Sequence, residues 1–429
     1  MIDRRRFLHL SGAACLASMT GCGATRLASP YSAHVVVIGG GFAGATAAKT
    51  LRLLNPHLKV TLVEANAYYM TCPTSNWVLA GIKSIRDLRF DYRALSQNYG
   101  VNMIIDRVTA VDAAQKTVIL QRGDCLHYDR LIMAPGIDFV WDDIAGYDAE
   151  IAQRVPHAWQ AGPQTRLLWR QLQAMPDNGL IVLLAPPNPF RCPPGPYERA
   201  SLMAYYCQRY KPKAKILILD QKRSFSKQSL FIQGWRRLYG YGADNGRIEW
   251  QSITDNPVVA LMPKNTLETD FGDRFTADVL NIIPRQKAGK IAQLTGLADD
   301  SGWCPVTPLS AESTRIPGIH VIGDAATYAG IPKSAFAANS EAKACAMAVV
   351  ALLNDELPQA PLWMNTCFSL LSPSQAISVS MVYKLNSAQQ IEKVKGAGGV
   401  SVKTDTASLQ HESEFARHWY QSITRDTFS

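Results

Sequence analysis

His34-Val35-Val36-Val37-Ile38-Gly39-Gly40-Gly41-Phe42-Ala43-Gly44 decides the fold. After its first residue, the run from His34 to Ile38 is apolar and β-branched, as expected of a buried strand. Gly39, Gly41 and Gly44 then supply the spacing G-x-G-x-x-G. Ala45 to Leu54 reads as a helix whose alanines allow close packing on a sheet, and Lys59 to Val63 reads as a second strand. Glu64 closes that strand, 20 residues after Gly44. A lone glycine pattern would be weak. Strand, glycines, helix, strand and terminal carboxylate together define a dinucleotide cradle. The glycines permit a tight turn and close approach of backbone N–H groups to a pyrophosphate, while Glu64 accepts hydrogen bonds from ribose hydroxyls.

Two later segments choose between the common dinucleotides. Leu131-Ile132-Met133-Ala134-Pro135-Gly136 is a strand entering a Pro-Gly turn. It resembles the turn that returns the chain beneath the flavin in flavoproteins with two dinucleotide-type domains. Gly318-Ile319-His320-Val321-Ile322-Gly323-Asp324 resembles the second FAD fingerprint of that superfamily, with Asp324 at the ribitol or pyrophosphate end. Taken alone, Asp324 would equally serve as the N-cap of a helix near 334–353. The three segments in this order imply FAD. A middle strand, Gly179 to Leu184, runs instead into Ala185-Pro186-Pro187-Asn188-Pro189, and proline offers no N–H to a phosphate. Lys215 to Asp220 reads as that domain's next strand, so its βαβ shape is expected to persist without a phosphate cradle, and NAD(P)H is not expected as reductant.

The whole chain has 429 residues, of which 47% are hydrophobic and 18% charged. That composition supports a large core and excludes disordered, fibrous and disulfide-miniprotein classes. A mean hydropathy of −0.06 gives no sign of a polytopic membrane protein. Arg4-Arg5-Arg6-Phe7-Leu8 with the short apolar run that follows looks like a twin-arginine export signal, which carries folded proteins. Periplasmic export would suit a protein that acquires its cofactor first, and an oxidising destination permits disulfides. Met19-Thr20-Gly21-Cys22 loosely resembles a lipoprotein box, so a lipid anchor at Cys22 is a lesser alternative. Cleavage near Ala28-Ser29 removes two of nine cysteines and, with four Arg against one Asp, lowers the net charge from +9 to +6.

No C-x-x-C-H motif provides for haem on this chain, and the eight histidines lack metal-ligand spacing. Three cysteines sit in distinctive settings: Cys72 just after the second strand, Cys192 in the proline-rich loop Phe190 to Glu198, and Cys367 in Asn365-Thr366-Cys367. By residue type alone, each also reads as a buried apolar thiol.

In these segments the chain resembles the flavoprotein subunit of flavocytochrome c sulfide dehydrogenase. Tyr69 and Cys72, the run Phe190 to Ser201, Phe225 to Ser229, Gly302 to Val306 and Asn365 to Cys367 carry the likeness, which extends over essentially the whole chain. One departure is Met70, an extra residue between Tyr69 and Cys72. The resemblance implies a covalent 8α-S-cysteinyl link from FAD to Cys72. It implies a redox-active disulfide between Cys192 and Cys367, with Glu198 as a nearby base. It also implies a separate c-type cytochrome subunit as electron acceptor in a heterodimer. One thioether and one disulfide would leave four of seven cysteines.

The organisation expected is α/β: two Rossmann-like, disulfide reductase-like domains and a C-terminal α+β interface domain. Residues 1–30 form the signal, 32–150 and 277–355 the two parts of the FAD domain, 151–276 the middle domain and 356–429 the last. The basic cluster of Lys211, Lys213, Lys215, Lys222, Arg223, Lys227, Arg236 and Arg237 reads as solvated surface, with attraction of HS⁻ or an acidic partner as the alternative. It carries no nucleic-acid motif. Sulfide is the expected substrate. The rivals are a sulfide:quinone reductase, against which the polar tail Gln410 to His418 argues, and a flavoprotein that merely carries sulfur.

Overall fold

The computed structural model of the protein describes residues 32–429, so the segment expected to be an export signal, with Cys15 and Cys22, lies outside the described residues. The strand His34–Ile38 and the helix Phe42–Leu54 form as their patterns demand, with Val35 to Val37 wholly buried. The first strand is central in a parallel sheet of order Ile319–Val321, Arg130–Met133, His34–Ile38, Lys59–Glu64, Asn102–Ile105. Helices cover such sheets, which is why these strands are continuous apolar runs and not alternating ones. The helix Phe42–Leu54 packs against a second alanine-rich helix, Ala335–Leu353, where the Asn339 amide donates to Thr46 Oγ1 at 2.9 Å. That helix is long and apolar enough to cross a membrane by length and composition, but 56% of its apolar window is buried within the fold. Its N-cap is Ser334, whose hydroxyl accepts the Ala337 N–H at 3.0 Å, so Asp324 does not cap it.

The middle lobe repeats the plan with the parallel order Ile248–Ser252, Lys215–Asp220, Leu180–Ala185, Val279–Ile282. This corrects the expected boundary at 276. Val279–Ile282 pairs with Leu180–Ala185, so the middle sheet is complete only after the chain has passed that point. Two short strands, Ile137–Phe139 and Gln286–Ala288, pair antiparallel where the chain leaves and re-enters the first lobe. The third lobe is a three-stranded antiparallel sheet, Leu362–Ser372, Gln375–Leu385 and Ile391–Val400, with the helix Thr406–Phe428 packed on its central strand.

That last helix carries polar residues outward and buries Leu409, Ala416, Tyr420, Ile423 and Phe428. Phe428 reaches into the first lobe, with its ring centroid 5.5 Å from those of Phe42 and Tyr69 and 5.2 Å from that of Phe90. Removing a buried aromatic ring costs about 3–5 kcal/mol when the site does not collapse. Phe428→Ala should therefore lower unfolding stability by about 3 kcal/mol or more. Chemical denaturation is the measurement, and a midpoint equal to the native one would refute the packing role.

Candidate active site

The lobes meet around one cavity of about 1030 Å³, at the upper end for small-molecule sites. Of the residues singled out in the sequence, Gly39, Gly41, Glu64, Cys72, Pro135, Gly136, Cys192, Glu198, Gly323, Asp324 and Cys367 all line it. Gly44 does not; it sets the shape from behind. A Cβ there would stand 1.8 Å from the Gly39 carbonyl oxygen, so only glycine allows helix and turn to approach. Gly39 itself has φ +97°, and a Cβ there would meet the Ala134 carbonyl oxygen at 2.3 Å.

Glu64 braces this turn. Its carboxylate accepts the Gly40 N–H at 2.7 Å and the Asn66 backbone and side-chain N–H groups at 2.9 and 3.0 Å. The helix Phe42–Leu54 begins at Gly41 with no side chain capping it, which leaves its first N–H groups facing the cavity. Across the cavity, Asp324 Oδ1 is buried without a partner, while Oδ2 lies 3.8 Å from the Arg191 guanidinium. A cradle that side chains would fill, uncapped N–H donors and an orphan carboxylate oxygen fit a dinucleotide. They leave room for FAD between Glu64 and Asp324.

The three distinctive cysteines occupy the remaining wall. Tyr69 and Met70 pair antiparallel with Arg89–Phe90, so the extra residue is absorbed in a short strand and both Tyr69 and Cys72 still line the cavity. Cys72 Sγ lies 3.8 Å from the Trp159 carbonyl oxygen. Cys192, at φ +57°, is held by its N–H on the Lys333 carbonyl at 2.8 Å. Cys367 bonds the Asn365 side chain at 3.5 Å. Both are free thiols in the structure, as are Cys72 and the unassigned Cys125, Cys207, Cys304 and Cys345. Burial pushes the Cys192 and Cys367 thiols above their ordinary range; at Cys192 the charges of Cys367 and Glu198 add to the rise and Arg191 and Lys227 oppose it, while at Cys367 Lys227 is the main opposing influence and Glu198 adds to the rise.

Glu198 is buried and accepts from Asn76 Nδ2 at 3.0 Å, Trp77 Nε1 at 3.2 Å and the Leu370 N–H at 3.0 Å. Burial raises its pKa and these three donors oppose the rise. A carboxyl so balanced can hold or release a proton beside the thiols.

Sequence reasoning missed the groups that hold this wall together. Arg199, 2% exposed, donates to Asn76 Oδ1 at 3.0 Å, the His157 carbonyl at 2.9 Å and Asn281 Oδ1 at 2.8 Å. Arg191 donates to the Trp159 carbonyl. The only available signal was their place inside the run Phe190 to Ser201. Two members of the supposed surface cluster also turn inward. Lys222 is buried, 2.6 Å from both Asp220 Oδ1 and the Pro186 carbonyl, across the turn where a phosphate cradle would lie. Lys227 is half-buried near the thiols. Among the described residues, no group of three His, Cys, Asp or Glu side chains is placed to hold a metal.

This fold and cavity define a flavoprotein of the two-dinucleotide-domain type. Residues 33–158 match the family model for pyridine nucleotide-disulphide oxidoreductases. Residues 165–284 match the central domain of the sulfide dehydrogenase [flavocytochrome c] flavoprotein chain, and 359–428 match the flavocytochrome c sulphide dehydrogenase flavin-binding domain. The chain is 59% identical over 45 residues to the sulfide dehydrogenase [flavocytochrome c] flavoprotein chain of Chlorobaculum thiosulfatiphilum, covering 94% of that sequence and 10% of this one. Sulfide-quinone reductase of Aquifex aeolicus is 32% identical over 108 residues, a stretch covering only 25% of each chain. The mitochondrial sulfide:quinone oxidoreductase of Mus musculus is 23% identical over 301 residues, 68% of this chain and 65% of that one. The crystal structure of the Aquifex aeolicus sulfide:quinone oxidoreductase shares the fold, with a TM-score of 0.72, 18% identity and 92% of each chain covered. The chain belongs to the flavocytochrome c sulfide dehydrogenase flavoprotein family.

One further buried group shapes the second half of the cradle. Glu341, 4% exposed, accepts the Gly323 N–H at 2.9 Å. Burial raises its pKa to about 8, opposed by that hydrogen bond and by Lys333. An acid with a raised folded pKa contributes stability in full below its ordinary value of 4.5 and loses it as pH climbs through about 8. Glu341→Gln keeps an acceptor for Gly323 and removes the titration. It should flatten the decline in unfolding stability between about pH 4.5 and 8. Denaturation at both ends of that range checks this; an unchanged pH dependence would refute it.

Proposed function

We propose that the chain is an exported FAD-dependent sulfide dehydrogenase that passes electrons to a c-type cytochrome subunit. The observation that carries the reading is the convergence of Cys192, Cys367 and Glu198 with the dinucleotide cradle on one cavity. Oxidation of the two thiols by two electrons joins them, and HS⁻, a soft nucleophile, opens such a bridge to a persulfide and a thiolate. Glu198 holds or moves the accompanying proton. Bound FAD would supply a two-electron acceptor that can release electrons singly. Arg191 and Arg199 hold the carbonyls of 157–159, and so the cavity wall, in place.

Cys72 is the residue proposed to tether FAD as a thioether, which would retain the cofactor in a compartment that supplies none. The family membership supports the cytochrome partner. The twin-arginine pattern supports export by that route to the periplasm, with lipidation of Cys22 as the lesser alternative. The filled turn at Pro186 supports a reaction without NAD(P)H.

The likeness to sulfide:quinone oxidoreductases favours a second reading in which quinone takes the electrons. Sulfide added anaerobically should bleach the flavin within the turnover time, and cytochrome c should then be reduced. Robust quinone reduction with no cytochrome reduction would decide for the second reading. A flavin that sulfide does not bleach would leave only a sulfur carrier. Acid precipitation should leave yellow flavin on the native polypeptide and release it from Cys72→Ser; flavin released equally from both would end the tether proposal.

A further inference from the structure

Lys227 is a part-buried cation for which the proposed chemistry has no use so far. It precedes the helix Gln228–Tyr239 with φ +59°, a left-handed conformation that a non-glycine residue adopts at a cost. Its Nζ donates to Ser369 Oγ at 2.9 Å and lies 3.4 Å from the Ile377 carbonyl oxygen. Ser369 and Cys367 stand two residues apart on one strand and so share a face, with Asn365 on the same face beyond them. The ammonium is thereby fixed on the strand that carries Cys367. Cys192 comes from the opposite side, on the proline-rich loop, its Sγ 3.1 Å from where a Gly195 Cβ would be. The charged or titratable groups facing Lys227 are Cys367, Cys192, Glu198 of the helix Gly195–Tyr210 and Glu412 of the C-terminal helix. Both carboxylates are already engaged: Glu198 by three donors, and Glu412 by the Ser378 and Ser401 hydroxyls at 3.0 and 2.9 Å.

We propose that Lys227 sets the polarity of the cysteine pair: HS⁻ attacks the Cys192 sulfur, and Cys367 departs as the thiolate beside the ammonium. The inference rests on the Cys192–Cys367 bridge of the function proposed above. In the step, a sulfide electron pair forms the new S–S bond to Cys192, and the pair of the broken bond leaves on Cys367. The sulfide proton stays on the Cys192 persulfide. Sulfide is thus oxidised and the bridge reduced, with no other reactant. The better leaving thiol is the one whose thiolate is better stabilised. Burial raises both thiols; at Cys192 Arg191 and then Lys227 oppose the rise, while at Cys367 Lys227 is the first opposing influence, joined by the Ser334 hydroxyl.

The test uses the air-oxidised full chain, mixed anaerobically with one equivalent of sodium sulfide, quenched with N-ethylmaleimide and mapped by peptide mass spectrometry. The expected result is a capped persulfide on Cys192 and a capped thiol on Cys367. The reverse labelling overturns the polarity while leaving sulfide oxidation standing. Oxidised protein with no bridge between the two overturns the functional reading and the polarity together. The mapping needs no variant. In addition, Lys227→Met should slow bridge opening roughly a hundredfold, as removal of one fixed group from a developing anion does, and Lys227→Arg should restore most of it. Opening at the native rate in Lys227→Met overturns the role. Burial lowers the Lys227 pKa to about 8, and its cation is present below that value. The native rate, corrected for the HS⁻ fraction, should therefore fall as pH rises through about 8, and Lys227→Met should lack that fall. The same fall in both would also overturn it.

Discussion

The cavity depends on one buried cluster, in which consecutive residues of opposite charge are bound through the same amide. Asn76 donates from Nδ2 to Glu198 at 3.0 Å and accepts from Arg199 on Oδ1 at 3.0 Å. An unpaired charge in an apolar interior is costly, and a half-satisfied polar cluster is worse than none. Here the guanidinium is spread over oxygens from three stretches of chain: Asn76, the carbonyls of His157 and Ala158, and Asn281 of the middle sheet. The carboxylate takes donors from Asn76, Trp77 and the third lobe's Leu370. The first and third lobes therefore help to satisfy charges that the middle lobe presents. The relative placement of the lobes at this point is set by hydrogen-bond completion as much as by apolar packing.

The same cluster explains how reactive groups are kept in place without being neutralised. Glu198 is desolvated, which favours its proton, and triply bonded, which favours its charge. Such opposed influences bring a carboxyl toward the range where it can exchange a proton. The cysteines stand in related settings, since burial disfavours their thiolates while Arg191 and Lys227 offset part of that cost. The apolar surround that makes the thiols poor acids also makes each nearby cation more effective, because charges interact more strongly away from water.

Much of the fold was legible from residues 34–64, and for a local reason. A buried parallel strand must be apolar along its length, and the turn after it must be glycine where a Cβ would strike Gly39 or Ala134. The two returning segments at Pro135-Gly136 and Gly323-Asp324 were legible only through their resemblance to flavoprotein segments, since Asp324 alone read equally well as a helix cap. The middle lobe was legible as a βαβ unit but not in extent, because Val279–Ile282 joins its sheet by pairing with Leu180–Ala185 nearly a hundred positions earlier. Lys222 and Lys227 were misread as surface because a lysine's type predicts exposure. Only its neighbours reveal a buried carboxylate such as Asp220 or a strand face such as Cys367 to Ser369.

The sequence by itself determined the dinucleotide cradle, the succession of lobes and the identity of the cysteines worth following. Each of these is written in contiguous residues whose shape or chemistry is decided locally. Tertiary structure alone decided that Asn76, His157, Glu198, Arg199, Asn281 and Leu370 share one hydrogen-bonded cluster, and that the Lys227 ammonium reaches Ser369 on the strand of Cys367. Such relations come from far-apart segments whose buried charges must find partners once water is excluded. No local pattern encodes that requirement.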